Sequence, residues 1–265
     1  MKNSITEKGL AFCITLLFIF TIITLTGTPK QINTRNIITV DDEPGDADYT
    51  SIKEALNNSN FGDTIEVYSG IYKEDDITIL MSNLTINAIP YELGEGNDSG
   101  KPIIEAINSK DAILVNGDSV TLTGFKIEIK SNCGIIIYSD DNVISGNIFQ
   151  TLDGVCILIN GTYFGGKRNA IIGNVFSNYN STFTYAVILD NAYSNGIAEN
   201  DFLINTNAYF FNSFQNRWFS NYWQNPRILP KLILGKWSII TDIFSATIPW
   251  FNIDWHPALV TNNVS

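Results

Sequence analysis

The stretch Asn142-Val-Ile-Ser-Gly-Asn-Ile-Phe149 decides the fold, because its pattern occurs four times in the chain. Each copy reads Asn-x-Φ-x-x-Asn-x-aromatic, where Φ is an apolar residue. The first Asn residues of the copies lie 27, 26 and 21 residues apart, at Asn142, Asn169, Asn195 and Asn216. A recurring interval of this length is typical of a solenoid, in which each repeat forms one coil of a stack.

A second apolar run accompanies each copy and opens with a small residue, at Gly134, Gly154, Ala186 and Ala208. Runs of β-branched and aromatic residues that are interrupted by Asn, Asp, Gly and Ser are typical of short strands separated by turns. One coil cannot bury its own apolar side, but coils stacked about 4.8 Å apart bury a continuous core. The sequence therefore predicts an all-β solenoid.

Stacked coils place like residues above like residues, so the repeats also predict two kinds of column. The aromatic residues that close the copies should form one inward stack: Phe149, Phe176, Phe202 and Trp223. The Asn residues should form ladders, because a short amide at a tight bend can hydrogen-bond to the amides above and below it. We interpret these Asn residues as structural.

The two ends of the solenoid are predicted to be covered. Asp48 to Leu56 is predicted to form a short helix, with Ser51 and Glu54 as a capping box, over the first coil. The segment 224–265 contains four prolines and three tryptophans that interrupt apolar runs. We expect it to fold back as a cap on the last coil, with a membrane-surface or partner-docking role as the alternative.

Residues 1–28 are predicted to be a signal peptide or an N-terminal membrane anchor. Gly9 to Pro29 carries no charge and lies between Lys8 and Lys30, in the manner of a secretory leader. About 20 uncharged residues are also enough for an uncleaved anchor. Both alternatives predict an extracellular or cell-surface protein, with membrane contact only through residues 9–29.

Charge is distributed unevenly along a chain whose formal net charge is −11. Between Asp41 and Asp98 there are 14 acidic residues against Lys53 and Lys73, whereas the basic residues outnumber the acidic ones after Leu203. Such acidity argues against a nucleic-acid partner. The acidic region is interpreted as a solvated face or as a region that holds cations.

Cys133 and Cys156 are the two cysteines outside the leader. Aligning the repeats on their small residues places Cys133 level with Asp153 and Cys156 level with Ile136. Positions 133 and 136 differ by an odd number, so the two side chains should point to opposite faces of the sheet. Because a disulfide requires Cβ atoms within about 4.5 Å, both are predicted to be free thiols.

The entry sequence resembles the start of many right-handed parallel β-helix proteins. The resemblance lies in Ser51-Ile-Lys-Glu-Ala-Leu56, Gly62-Asp-Thr-Ile-Glu-Val67 and Gly70-Ile-Tyr-Lys-Glu74. The Asn-rich copies resemble the NosD-type β-helix repeat of cell-surface proteins, within the pectin-lyase-like group. The resemblance implies a single-stranded right-handed parallel β-helix over residues 37–223. It does not fix a function, since this fold carries lyases, esterases, hydrolases, binding proteins and inert modules.

The catalytic members of that group provide one candidate site. Pectin methylesterase motifs do not match, but pectate-lyase chemistry needs acidic calcium ligands and a basic residue that takes a proton. The residues considered for it lie at turn ends and in the long Gly161–Arg168 loop: Asp140, Asp141, Asp153, Asp190, Lys167 and Arg168. Copper is not supported, since the chain offers only His256, Met81 and two thiols outside the leader.

Two functional hypotheses follow. The first is a non-catalytic, exported surface module with a structural, adhesive or glycan-contacting role, no cofactor, and a cell-surface glycan or envelope component as partner. The second is a carbohydrate-active enzyme, a lyase or hydrolase that acts on an acidic polysaccharide, with calcium as the candidate cofactor. The leader, the repeat and the lack of an intact catalytic motif favour the first.

Overall fold

Short alternating segments such as Thr121-Leu-Thr123 build the fold, because their apolar middle residue points inward while the flanking threonines face outward. In a computed structural model of the chain these segments wind into a parallel β-solenoid of about eight turns. The structure describes residues 35–106, 111–130, 132–162, 165–178, 184–203, 206–240 and 245–262. The predicted leader, residues 1–28, lies outside the described residues.

After the first strand, Ile37–Val40, each coil contributes one strand to each of three parallel stacks, which we call the first, second and third sheets. The prediction of an all-β solenoid is therefore confirmed. The first sheet contains β1 (Ile37–Val40), β2 (Thr64–Val67), β5 (Thr85–Ala88), β8 (Thr121–Thr123), β11 (Val143–Ser145), β14 (Ala170–Ile172), β17 (Gly196–Ala198) and β20 (Arg217–Phe219).

The second sheet contains β3 (Ile71–Tyr72), β6 (Ile103–Ala106), β9 (Lys126–Ile129), β12 (Ile148–Thr151), β15 (Val175–Asn178), β18 (Asp201–Phe202) and β21 (Tyr222–Trp223). The third sheet contains β4 (Ile77–Ile79), β7 (Ile113–Val115), β10 (Asn132–Ile137), β13 (Gly154–Asn160), β16 (Thr184–Asp190) and β19 (Thr206–Phe211). The inward residues of all three sheets form one continuous apolar core.

The predicted aromatic column is confirmed on the second sheet. Phe149 pairs in register with Phe176, Phe176 with Phe202, and Phe202 with Trp223. The successive ring centroids are 5.2, 5.1 and 4.1 Å apart, and all four rings are buried. Burial of each ring contributes roughly 1.5–3 kcal/mol, and ring contacts add about 0.5–1.5 kcal/mol.

The predicted Asn ladders are confirmed as two columns of buried side chains. In one column the amide of Asn147 donates to Asn174 Oδ1 at 3.1 Å, and Asn174 donates to Asn200 Oδ1 at 3.1 Å. Asn200 donates to Asn221 Oδ1 at 3.0 Å, and Asn221 donates to Asp254 Oδ2 at 3.0 Å. Each Oδ1 also accepts a backbone N–H from the previous coil, so the ladder satisfies polar groups at every bend. The parallel column contains Asn142, Asn169, Asn195 and Asn216.

The predicted N-terminal helix is confirmed as α1 (Ile52–Asn57). Ser51 Oγ accepts the Glu54 N–H at 3.3 Å, as an N-cap residue does. Glu74 also accepts the N–H groups of Ile52 and Lys53. The buried residues of α1 belong to the solenoid core, so this helix covers the apolar opening of the first coils.

The tail forms an antiparallel hairpin of β22 (Lys231–Ile240) and β23 (Ser245–Asp254). In this C-terminal hairpin, β22 extends the third sheet beside β19, while β23 pairs with β20 through Trp218 and Asp254. The hairpin therefore joins the two sheets at the last coil. The described part of the chain contains no helix with the length and apolarity that a membrane crossing requires.

The predicted register of β10 and β13 was wrong by two residues. Cys133 pairs with Val155 instead of Asp153, because the pairing begins at Asn132 and Gly154 and matches Ile135 with Ile157. Alignment on the two small residues had placed Gly134 opposite Gly154. A shift of two leaves each side chain on the same face. Both cysteines are free thiols as predicted, and both are buried.

Candidate functional site

Four of the six predicted site residues meet at one corner, where the chain passes from the third sheet to the first. Asp140 and Asp141 precede β11, and Lys167 and Arg168 precede β14 in the next coil. Arg168 binds Asp141 through two nitrogens, with Nε–Oδ1 and Nη2–Oδ2 distances of 2.6 Å. Its Nη2 also lies 3.3 Å from Asp140 Oδ2, and the Lys167 N–H donates to Asp140 Oδ1 at 2.9 Å.

The other two residues do not join this corner. Asp153 lies in the turn between β12 and β13, at the corner between the second and third sheets, and it is exposed. Asp190 ends β16, where its Oδ1 accepts a hydrogen bond from Asn191 Nδ2 at 2.8 Å. Burial raises the pKa of Asp190. The four aspartates therefore do not converge on one position.

Electrostatics at the corner favour a fixed ion pair. The hydrogen bond and the charge of Arg168 hold the pKa of Asp141 below its usual range, and Asp141 in turn raises the pKa of Arg168. The guanidinium therefore stays protonated and cannot take a proton from a substrate. Each of the four carboxylate oxygens of Asp140 and Asp141 already accepts a hydrogen bond, so this corner does not present free calcium ligands.

Asp140 belongs to a wider pattern of turn aspartates that bind the backbone of a neighbouring coil. Asp118 Oδ1 accepts the Asp140 N–H at 2.9 Å, one coil earlier than the equivalent bond from Lys167 to Asp140. Short acidic side chains are favoured at such turns because they satisfy backbone donors. The corner is therefore explained by its structural contacts.

A second candidate lies on the outer side of the last coils, and we call it the C-terminal groove. A cavity of about 840 Å³ is lined by Ser194, Asn195, Gly196, Gln215, Asn216, Arg217 and Phe219. An adjoining cavity of about 520 Å³ shares Asn216, Arg217 and Phe219 with it and adds Trp218, Phe251, Asn252, Ile253, Trp255 and His256. The two cavities together form an extended groove beside β20 and β23.

The groove combines exposed rings with hydrogen-bonding groups. Phe219, Phe251 and Trp255 are 46%, 52% and 63% exposed, which is high for such large apolar side chains. Arg217 is exposed on the same strand as Phe219 and offers a planar donor for carboxylates. Ligand sites typically combine apolar and aromatic walls with a few orienting polar groups.

The repeat pattern does not predict this groove. The available signals were Arg217 and Phe219, at positions where other copies of the repeat carry smaller residues, and the aromatic residues of the tail. Comparison with protein-family models, with curated proteins and with solved structures finds no match to this chain.

Proposed function

We propose that this chain is an exported, non-catalytic β-helix of the NosD-like or pectin-lyase-like type that contacts glycans at the cell surface. The contact surface in this proposal is the C-terminal groove. The observation that carries it is the exposed Phe219 beside exposed Arg217, with Trp255 in the adjoining cavity. Aromatic rings pack against the apolar faces of sugar rings, and a guanidinium pairs with a carboxylate.

Charge supports an acidic glycan as the ligand. The chain is acidic overall, but Arg217, Arg227, Lys231 and Lys236 lie in the last coils and the C-terminal hairpin, while the acidic residues concentrate before Asp98. Opposite charge raises the rate and specificity of association. Arg217, the charged residue in the lining of the groove, therefore favours a uronic-acid polymer over a neutral one of similar shape.

Export and surface location rest on the uncharged segment from Gly9 to Pro29 with basic residues on both sides. A non-catalytic role is supported by the Asp140 corner, whose carboxylates are already bound by Arg168 and by backbone donors. A lyase needs acidic calcium ligands and a base that takes a proton, whereas the Asp140 and Asp141 carboxylates and the Arg168 guanidinium of that corner are bound to one another.

Calorimetric titration with an oligogalacturonide and with a neutral oligogalactan tests the proposal. We expect the acidic oligomer to bind more tightly, and Phe219→Ala to weaken it about tenfold, equal to a loss of about 1.4 kcal/mol. Arg217→Ala should remove the preference for the acidic oligomer. Phe61→Ala is the matched control, because Phe61 is 51% exposed at the other end of the chain.

Three results would overturn the proposal. Equal binding by the wild type, Phe219→Ala and Arg217→Ala, or binding of neither oligomer, would remove the groove as a glycan site. Release of unsaturated or reducing-end products during the same titration, with or without calcium, would establish the polysaccharide lyase or hydrolase alternative instead.

A further inference from the structure

An acidic cluster of Asp41, Asp42, Glu43, Glu92 and Asp98 lies near the start of the solenoid. Three of these residues directly follow β1, and the other two come from the segment between β5 and β6. One oxygen each from Asp41, Asp42 and Glu43 lie within 4.8 Å of one another, and the same is true of Glu43, Glu92 and Asp98. Glu43 thus belongs to two overlapping groups of three carboxylates.

Asp41 distinguishes this cluster from a solvated acidic face. Its side chain is 0% exposed and lies beside the Glu92 carboxylate, and neither Oδ1 nor Oδ2 accepts a hydrogen bond from a donor group of the described residues. Buried oxygens without a partner also include Asp42 Oδ1, Glu43 Oε2 and Glu92 Oε1. A buried ionised carboxylate costs several kcal/mol unless it is paired or coordinates a metal. The cluster therefore lacks a positive partner.

Backbone contacts hold the carboxylates in this arrangement. Asp42 Oδ2 accepts the Ile71 N–H at 3.1 Å, and Glu92 Oε2 accepts the Asp98 N–H at 2.9 Å. In each case one oxygen is bound to the backbone and the other is left without a partner. Gly70 leaves space for the Asp42 carboxylate, because a Cβ at position 70 would overlap Asp42 Oδ1.

Protein side chains do not supply the missing charge. The ion pairs within the described ranges of the chain use Lys126, Lys130 and Arg168 as their cations, and none of them includes a residue of the acidic cluster. The charges that face Asp41 are those of Glu92, Glu43 and Asp42, all of the same sign. Their mutual repulsion would be relieved by a bound cation.

We infer that the acidic cluster is a calcium site, in which Asp41, Asp42, Glu43 and Glu92 supply ligands to Ca²⁺. The donors are all carboxylate oxygens, which suit hard cations, and the cluster has no imidazole or thiolate for zinc or copper. Calcium–oxygen distances of about 2.4 Å place ligands on opposite sides of the ion about 4.8 Å apart. The oxygens of each group of three lie within that separation, and Ca²⁺ accepts several carboxylates in a flexible geometry, whereas Mg²⁺ requires a near-ideal octahedron.

The bound ion would fasten the segment between β5 and β6 to the end of β1. Other contacts between the same two segments are weaker and exposed, such as the Glu95 N–H donating to Asp46 Oδ2 at 3.1 Å. Calcium would therefore order the first coils and leave the C-terminal groove unchanged. This site is separate from the proposed function, so Phe219→Ala should bind calcium as the wild type does.

Titration of the metal-free full chain with CaCl2 tests the inference by calorimetry and by thermal unfolding. We expect saturable binding, an increase in Tm with calcium, and weaker binding of MgCl2. Terbium gives a second readout on the wild type, because Tyr91 adjoins Glu92 and lies 5.9 Å from Tyr68, so tyrosine excitation should sensitise the ion. Added calcium should then displace terbium.

Asp41→Asn separates a metal site from a structural role. It should weaken calcium binding at least tenfold, yet raise the Tm of the metal-free protein, because it removes an unpaired buried charge. Asp46→Asn is the matched control, since Asp46 lies outside both groups, and it should keep the wild-type affinity. Glu92→Gln provides a second test with the same expected loss of affinity.

The inference would be overturned if millimolar calcium produced neither heat nor a change in Tm, or if calcium left terbium luminescence unchanged. It would also be overturned if Asp41→Asn and Glu92→Gln bound calcium with the wild-type affinity. A lower Tm for metal-free Asp41→Asn would instead indicate a purely structural carboxylate.

Discussion

The Asn ladder makes a sharp prediction about which polar side chain each position accepts. The Asn200 side chain both accepts and donates hydrogen bonds within the ladder. Its Oδ1 accepts from the Asn174 N–H and from Asn174 Nδ2. Its Nδ2 donates to Ile171 O at 2.8 Å and to Asn221 Oδ1 at 3.0 Å. Asp254 ends the ladder as an acceptor for Asn221 and for Trp223 Nε1. We therefore expect Asn200→Asp to be damaging and Asp254→Asn to be tolerated.

The magnitude follows from the bonds that are lost. Asn200→Asp removes the hydrogen bonds from Nδ2 to Ile171 O and to Asn221 Oδ1, at about 0.5–1.5 kcal/mol each, or about 1–3 kcal/mol together, while Asn221 Oδ1 keeps the backbone N–H of residue 200. An ionised carboxylate at this fully buried position adds a desolvation penalty of several kcal/mol. Since domains unfold with about 5–15 kcal/mol, much of the total stability should be lost. Asp254→Asn keeps an acceptor oxygen and should change stability by about 1 kcal/mol or less.

The pH dependence of Asn200→Asp has a defined sign. Burial raises the pKa of the introduced carboxyl above its unfolded value, so the native state binds more protons than the unfolded state between the two values. The stability of the variant should therefore increase as the pH falls from 7 towards 4, relative to wild type measured in parallel.

Urea unfolding and thermal melts of the wild type, Asn200→Asp, Asp254→Asn and the control Asn207→Asp provide the assay. Asn207 is partly exposed, and its Oδ1 accepts the Ala208 N–H, a bond that a carboxylate preserves. The control should match the wild type. The reasoning is refuted if Asn200→Asp is as stable as Asn207→Asp, or if Asp254→Asn is the more destabilised of the two ladder variants.

Three further predictions concern the core, the thiols and the Asp140 corner. Phe176→Ala should lower the free energy of unfolding, measured by urea titration, by about 3–5 kcal/mol, because it removes a buried ring. The exposed Phe61→Ala should change that free energy by less than about 0.5 kcal/mol, and equal effects of the two variants would contradict the aromatic column. Cys133 and Cys156 should resist a thiol-modifying reagent until the protein unfolds, because burial raises the pKa of both thiols. Rapid labelling of the native protein would contradict the burial of these two side chains. Arg168→Ala should change the Tm only slightly, because the ion pair between Arg168 and Asp141 is exposed and screened by salt. A large decrease in Tm at high salt would show that this ion pair stabilises the coil more than its exposure indicates.

The sequence predicted those features that repeat from coil to coil. Stacking places like residues above like residues, so the positions of Phe176 and Asn200 in the repeat were sufficient to predict their contacts. The register of β10 and β13 was missed because a small residue is a weak marker; the match of Ile135 with Ile157 sets the pairing instead. The C-terminal hairpin follows the last copy of the repeat, so the period carried no information about it.

The acidic cluster and the Asp140 corner differ in how well the sequence predicts where their residues lie. The acidic cluster depends on contacts between the end of β1 and Glu92, two segments that the repeat does not relate, so composition predicted an acidic region but not the burial of Asp41. The Asp140 corner was predicted because it lies beside a long loop. There the structure brings Arg168 onto Asp140 and Asp141, and it leaves Asp153 and Asp190 elsewhere.

The C-terminal groove follows from a change in residue size along one column of the first sheet. Its outward positions carry Val143, Ala170 and Gly196 in successive coils and then Arg217, while the neighbouring column ends in Phe219 above Ala198. Small residues below large ones leave a recess beside β20 in the last coils. Since the inward residues are fixed by the aromatic column and the Asn ladders, outward positions of this kind are free to vary without disturbing the core. In the proposed function Arg217 and Phe219 would provide the specificity, and the coils beneath them would hold these two side chains in position.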